Sequence, residues 1–334
     1  MQKRKIGSLE VSPIGMGCMG FSHGYGAIPS ESYSIEAIQK GHDAGCTFFD
    51  TAEIYGPNLA LPGHNERIVG KALRAFRRDV AIATKLHVNS HELQERSLYE
   101  VIRSHLLLSL ERLQTDWVDL YYLHRVNPAV PVEDVAGVMG QLVREGLIRE
   151  WGLSQVDVST LKRAHEVCKV AAVQNLYNMM ERDCEAELFP HCIEENIALV
   201  SFSPIASGLL SGKISATTQF EKVDDVRNFV PQLSRSNLVS NLPLVDALAE
   251  FAAKKGATSA QIALAWQLKK YPNVVPIPGS KNQQRILENL AAWNVTLSDE
   301  EFCQLEQLLS CFAVHGHRGT VEYEGKSFLQ GDSK

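Results

Sequence analysis

The chain has 334 residues, of which 45% are apolar and 22% charged, and its formal net charge is −6. These proportions belong to an ordinary globular protein and exclude a disordered or fibrous one. No basic block marks a nucleic-acid reader, and no run reaches the roughly 18 apolar residues of a membrane span.

In chain order, a polar hairpin is expected first, over about 3–12. Strands are predicted near 15–19, 47–50, 80–84, 118–123, 148–153, 171–174, 198–202 and 274–277. Helices are predicted between them, near 31–44, 65–75, 97–112, 133–145, 157–168, 183–195, 258–270 and 282–291. Ser30 before Glu31 suits a helix start, and Gly41 and Gly45 lie near its stop. The stretch 212–241 is rich in Ser, Asn and Asp, shows little periodicity, and reads as a long binding loop or lid. One extra helix is expected over 243–254, and another after the capping-box match Ser298–Glu301. The glycine-containing tail 311–334 reads as a cover over a site or a free end.

This alternation argues for βα units and a parallel sheet. Eight strands match a closed eightfold barrel, though the pattern itself also allows an open doubly wound sheet. No repeat or linker divides the chain, so one α/β domain over 1–334 is expected. The seven scattered cysteines form no CxxC pair, so no metal site is expected. With no apolar stretch of signal-peptide type at the N-terminus, reduced thiols in a cytoplasmic protein are the expectation.

Gly15, Gly17 and Gly20 spell GxGxxG, the dinucleotide fingerprint. That motif works only when a helix follows it directly. Here Gly24, Gly26 and Pro29 come next, so the glycines read instead as places where backbone passes close to a ligand.

Four residues form a more telling set. Asp50 and Tyr55 lie in TFFDTAEIYG, Lys85 closes VAIATK, and His124 closes LYYLH. In a barrel of parallel strands the carboxyl ends of the strands converge on one face, where active sites are built. Carbonyl reduction needs a proton donor on oxygen. An ordinary Tyr, with a pKa of about 10, is protonated but a weak acid. A neighbouring Lys stabilises the phenolate and should lower that pKa, Asp50 can hold the Lys charged, and His124 can orient the carbonyl.

These strings, with NERIVGKAL, WGLSQ, VQNLYN, SFSPIASGLLSG and PIPGSKNQQRILEN in order, resemble the aldo-keto reductases from about Ile6 to Trp293. The resemblance implies a (β/α)8 TIM barrel that reduces aldehydes or ketones with NADPH, with a small-molecule carbonyl as substrate and no nucleic-acid or membrane partner. It implies the catalytic roles just given for Asp50, Tyr55, Lys85 and His124. It also implies nicotinamide carboxamide contacts at Ser154 and Gln174, ring stacking on Phe202, and a diphosphate wrap along Ser203, Ile205, Gly208 and Leu209. A 2′-phosphate site is implied at Ser280, Lys281 and Arg285, with adenine at Glu288 and Asn289. Both cations and the expected helix start near Asn282 favour an anion there on physical grounds. Gln155 replaces the family's frequent Asn or Glu, Asn127 a frequent Asp and Leu147 a frequent Lys. Phe21, His23 and Tyr25 are candidate pocket walls. Two rivals share the scaffold: a regulatory subunit similar to potassium channel β subunits, and an NAD-preferring alcohol or polyol dehydrogenase. The sequence leaves oligomeric state open.

Overall fold

The computed structural model describes residues 3–57, 61–221, 224–323 and 326–329, the last two segments without side chains beyond Gly319. In chain order, the hairpin strands β1 (Arg4–Ile6) and β2 (Leu9–Val11) come first, followed by β3 (Met16–Gly17), α1 (Glu31–Asp43) and β4 (Phe48–Asp50). Then come α2 (His64–Leu73), β5 (Ala81–Leu86), α3 (Leu98–Leu113), β6 (Val118–Leu123), α4 (Val132–Arg144) and β7 (Ile148–Ser154). The second half runs α5 (Val158–Val167), β8 (Ala172–Leu176), α6 (Leu188–Glu194), β9 (Ala198–Phe202), α7 (Arg235–Lys255), α8 (Ser259–Lys270) and β10 (Val274–Pro276). It closes with α9 (Gln283–Ala291), α10 (Asp299–Ser310) and a hairpin of β11 (Thr320–Tyr323) and β12 (Lys326–Leu329).

Strands β3 to β10 pair in sequence order, every pair parallel. The last strand returns to the first. Gly15 N–H donates to the Pro276 carbonyl at 2.9 Å, and a parallel bridge joins Gly17 to Gly279. The sheet is therefore a closed (β/α)8 barrel rather than an open doubly wound sheet. The glycines of the front motif serve this closure. A Cβ on Gly17 would sit 2.9 Å from the Ile277 carbonyl oxygen, so a side chain would prise the seam apart. At Gly15 and Gly17 the close neighbour is protein, whereas a Cβ on Gly20 would come no closer than 3.5 Å, to Lys281 Cγ.

Two apolar layers follow from the strand pattern. Inside the barrel, Phe48, Leu120, Tyr122, Val200 and Val275 pack beside Ala81, Ala83, Ala172 and Ala198, whose small side chains leave room for the rings. Ile6, Leu9 and Val11 of the hairpin join that cluster and plug one end. A second, larger cluster lies between the strands' outer faces and the helices, and includes Trp151, Trp266, Met139 and Phe189. Strands buried on both faces read as continuous apolar runs, which is why VAIAT and VDLYYL were legible.

The structure departs from the sequence reading in three places. Helix α7 begins at Arg235, about two turns before the expected start at 243, and carries the exposed Pro243 inside it. The predicted helix 183–195 is a 3-10 turn at Asp183–Glu185 followed by the two-turn α6. The stretch 212–241 contains short 3-10 turns at Val226–Phe229 and Pro231–Leu233 before α7. Within the candidate pocket walls, 222–223 of this stretch and 324–325 and 330–334 of the tail lie outside the described residues.

Candidate active site

The side chains at the carboxyl ends of the strands meet as the sequence suggested. Asp50 ends β4 and Lys85 sits on β5, where it is wholly buried. Lys85 Nζ donates to Asp50 Oδ1, to the Thr51 carbonyl at 2.7 Å, and to Tyr55 Oη at 3.4 Å. Its three protons thus have three acceptors, one of them the tyrosine. The loop carrying Tyr55 is held by α2, whose Asn65 N–H donates to the Tyr55 carbonyl at 3.0 Å. Asn65 Nδ2 also donates to the Cys18 carbonyl at 2.8 Å, tying that loop to the first barrel strand. His124 follows β6, with its ring edge-on to Tyr55 at 5.9 Å between centroids.

Burial and charge divide the roles. Burial pulls the Lys85 ammonium down, but the Asp50 carboxylate and Tyr55 more than offset it, so its pKa lies above the ordinary value. Burial pushes the Asp50 carboxyl up, with Lys85 and Gln174 holding it partly back. Burial also raises the Tyr55 pKa, against the pull of Lys85 and Arg125. This corrects the expected direction: desolvation of a phenolate outweighs the nearby cation. Tyr55 therefore carries its proton throughout the neutral range. His124 is held well below its ordinary value, by burial first and then by His87, Arg125 and Lys85. It is a neutral imidazole, able to donate a hydrogen bond but not to act as a cationic acid.

Ser154 and Gln174 are oriented by the same network. Arg125 Nη1 donates to Ser154 Oγ at 3.1 Å, leaving the Ser154 proton free to donate elsewhere. Gln174 Nε2 donates to Asp50 Oδ2 at 2.8 Å, leaving its Oε1 free to accept. One donor and one acceptor match the carbonyl and NH2 of a primary amide. Phe202 ends β9 with its ring half-buried. After it, Ser203, Ala206, Ser207 and Gly208 all have positive φ, between 47° and 96°. Turn-rich backbone of this kind forms anion-binding concavities from its N–H groups. Ile205 lies within this turn, Leu209 anchors it in the core, and Ser207 Oγ is buried without a partner among the described residues.

The remaining predicted contacts gather around the start of α9. Asn282 caps the helix, and its N–H is held by Ser280 Oγ at 3.1 Å. The Arg285 side chain is exposed and makes no bond among the described residues. Lys281 does more than sequence implied: its Nζ donates to the carbonyls of Tyr25 at 2.6 Å and Ala27 at 2.7 Å, clamping the loop after the first strand. Glu288 accepts from Thr258 Oγ1 at 2.9 Å, and Asn289 is buried beside it. Lys281 and Asn282 share a groove with Pro29, Ser30 and Tyr33.

Of the altered positions, Gln155 is turned away, accepting from Leu176 N–H at 2.9 Å with φ of 53°. Asn127 donates through Nδ2 to the Val88 carbonyl and Ser90 Oγ, both at 2.9 Å, a job an aspartate could not do. Leu147 packs against the outer core cluster, an apolar position. Sequence reasoning missed Arg125, although it stands next to His124 in LHR, and it missed Ser207. It also missed Glu53, which accepts from His105 Nδ1 at 2.7 Å while His105 Nε2 meets Glu92 at 2.9 Å. That cluster braces the Tyr55 loop against α3. Its long-range contacts leave no local signal.

All seven cysteines are free, no group of His, Cys, Asp and Glu among the described residues could hold a metal ion, and no described helix is long and apolar enough to cross a membrane.

The sequence model of the Aldo/keto reductase family matches residues 13–310. A probable aldo-keto reductase 1 from Glycine max is 35% identical over 95% of this chain and 92% of its own length. The aldo-keto reductase str7 of Strobilurus tenacellus is 34% identical, covering 94% of each. Among solved structures, the glycerol dehydrogenase AKR11B4 from Gluconobacter oxydans superposes with a TM-score of 0.82 at 25% identity, over 96% of this chain and 99% of that one. An aldo-keto reductase from Klebsiella pneumoniae in complex with NADPH gives a TM-score of 0.71 at 27% identity, over 92% and 96%. By fold and by likeness along nearly its whole length, this chain belongs to the aldo-keto reductase family, oxidoreductases that act on carbonyl groups.

Proposed function

We propose that the protein, as one barrel domain over residues 1–334, reduces aldehydes or ketones to alcohols with NADPH, Tyr55 giving up the proton. The observation that carries this reading is the wholly buried Lys85, bonded at once to Asp50 and to the Tyr55 hydroxyl at 3.4 Å. Tyr55 is protonated in the resting site, so it is ready to donate. Its phenolate would form beside the Lys85 ammonium, with Arg125 as a second positive charge, so the charge that develops meets a preorganised field. His124, neutral and beside Tyr55, would donate to the carbonyl oxygen and aim it at the hydroxyl. A positioned acid of this kind contributes on the order of 10² to 10⁴ in rate.

The residues present fit a nicotinamide cofactor. Ser154 offers a donor and Gln174 an acceptor to a carboxamide, Phe202 a ring face, and Ser203, Ile205, Gly208 and Leu209 a turn for a diphosphate. Bound there, NADPH would supply the hydride. Arg285, Lys281, Ser280 and the capped start of α9 suit a 2′-phosphate, while Glu288 and Asn289 would take the adenine. The Klebsiella relative's NADPH complex supports this choice. One second reading has specific support: the likeness to a glycerol dehydrogenase favours alcohol oxidation as a reverse activity.

The test is NADPH consumption over a panel of aldehydes, ketones and sugars, run beside NADH. Turnover concentrated on carbonyls with NADPH is expected. Tight NADPH binding with no turnover on any carbonyl would instead favour a regulatory subunit, and equal use of NADH would count against the roles of Lys281 and Arg285.

A further inference from the structure

The family match ends at residue 310, yet the next segment returns to the cofactor side of the barrel. After α10 the chain runs back over α7, where Asn241 holds His315 from both sides. Asn241 Nδ2 donates to the His315 carbonyl and His315 N–H donates to Asn241 Oδ1, each at 2.9 Å. Gln232 N–H donates to the His317 carbonyl at 3.1 Å. Glu181 Oε1 accepts from Arg318 N–H at 2.7 Å and from Gln232 Nε2 at 2.8 Å. Gly316, at φ of 77°, lies so close to Gln232 N and Pro231 that a Cβ would stand 2.9 Å from each. A five-residue strap is thereby pinned at three points along its length.

The strap delivers one charge to one place. Arg318 Nε donates to Ser203 Oγ at 3.3 Å, and among the described residues its two terminal nitrogens have no partner. Ser203 is otherwise fixed through its carbonyl, which accepts from Asn178 Nδ2 at 3.0 Å and Ala206 N–H at 2.9 Å. It opens the left-handed turn read above as the diphosphate wrap. Glu181 binds the Arg318 backbone N–H rather than its fork, and burial pushes that carboxyl up to about 7 against the charge of Arg318. A guanidinium with a free fork beside a turn suited to anions is complementary to a phosphoryl group, which it can bind bidentately.

We propose that Arg318 is a cofactor-binding residue, held by the strap His315–Gly319 so that its free fork takes the diphosphate of the bound nicotinamide nucleotide. This rests on the reading of the site as a nicotinamide nucleotide site. The diphosphate is common to NADPH and NADH, whereas the 2′-phosphate belongs to NADPH alone. A group that binds the diphosphate must therefore serve both cofactors equally, and that separates Arg318 from the cations at the start of α9.

The experiment is titration of wild type, Arg318→Gln and Arg285→Ala with NADPH and with NADH by quenching of protein fluorescence, without substrate. Arg318→Gln is expected to raise the Kd for both nucleotides by roughly tenfold or more, the weight of a hydrogen bond to a charged group. Arg318→Lys is expected to recover part of that loss, since it restores the charge without the fork. Arg285→Ala is expected to weaken NADPH alone. Unchanged affinities in Arg318→Gln, or a loss confined to NADPH, with normal binding by wild type would overturn the role of Arg318 and leave the reading of the site intact. Wild type that binds neither nucleotide would overturn both.

Discussion

Lys85→Met tests the network where it is most tightly coupled. Methionine fills much of the same volume but removes the ammonium that donates to Asp50, to the Thr51 carbonyl and to Tyr55. Asp50 would keep only Gln174 as a donor, on its other oxygen. Breaking a buried ion pair by removing one partner costs about 3–5 kcal/mol. The loss depends on pH, because burial already raises the Asp50 carboxyl and losing Lys85 raises it further. A carboxyl whose folded pKa is raised destabilises the fold above its unfolded value of about 3.9, by an amount that grows until pH passes the folded pKa. The variant should therefore lose less stability at pH 5 than at pH 8 when unfolded in urea. Adding Asp50→Asn should recover much of that stability and none of the activity. Carbonyl reduction should fall by about 10² to 10⁴, with NADPH still bound. Equal stability loss at both pH values, or turnover within about tenfold of wild type, would refute the reasoning.

Two further outcomes follow from separate parts of the site. Arg285→Ala should narrow the kinetic preference for NADPH over NADH in steady-state assays, and an unchanged ratio of kcat/KM values would remove Arg285 from the 2′-phosphate site. His105 is predicted to link stability to alkaline pH. Burial pulls it down, but Glu53 and Glu92 raise it to about 9. Its stabilising contribution is full below an unfolded value of about 6.5 and is lost as pH rises through about 9, a change of roughly 2 kcal/mol after allowing for solvent screening. Urea unfolding of wild type and His105→Gln from pH 6 to 10 should show the steeper decline in wild type, and parallel curves would contradict it.

The barrel was legible because its strands are buried on both faces and so appear as apolar runs between amphipathic segments. The tetrad was legible because Asp50, Lys85 and His124 each end such a run. Other features were hidden for physical reasons. The direction of the Tyr55 pKa depends on desolvation, which no spacing encodes. Lys281 reads as a phosphate cation, yet it clamps the Tyr25 and Ala27 carbonyls from 256 and 254 residues away in sequence. Pro243 masked the first two turns of α7, whose exposed face tolerates the missing hydrogen bond. Gly15 and Gly17 mimic a nucleotide motif because a close approach between two backbones needs the same absent side chain as an approach to a ligand. Arg125 follows His124 in the sequence with no local sign of a role, since only the fold brings it to Ser154.

The most direct test of the central claim is Tyr55→Phe, in which the only described bond lost is the 3.4 Å contact with Lys85. NADPH oxidation on the best carbonyl of the panel would be measured beside NADPH affinity. The account predicts a fall in kcat of at least about a hundredfold with the cofactor still bound at near wild-type affinity. Undiminished turnover in that variant would show that another group gives up the proton.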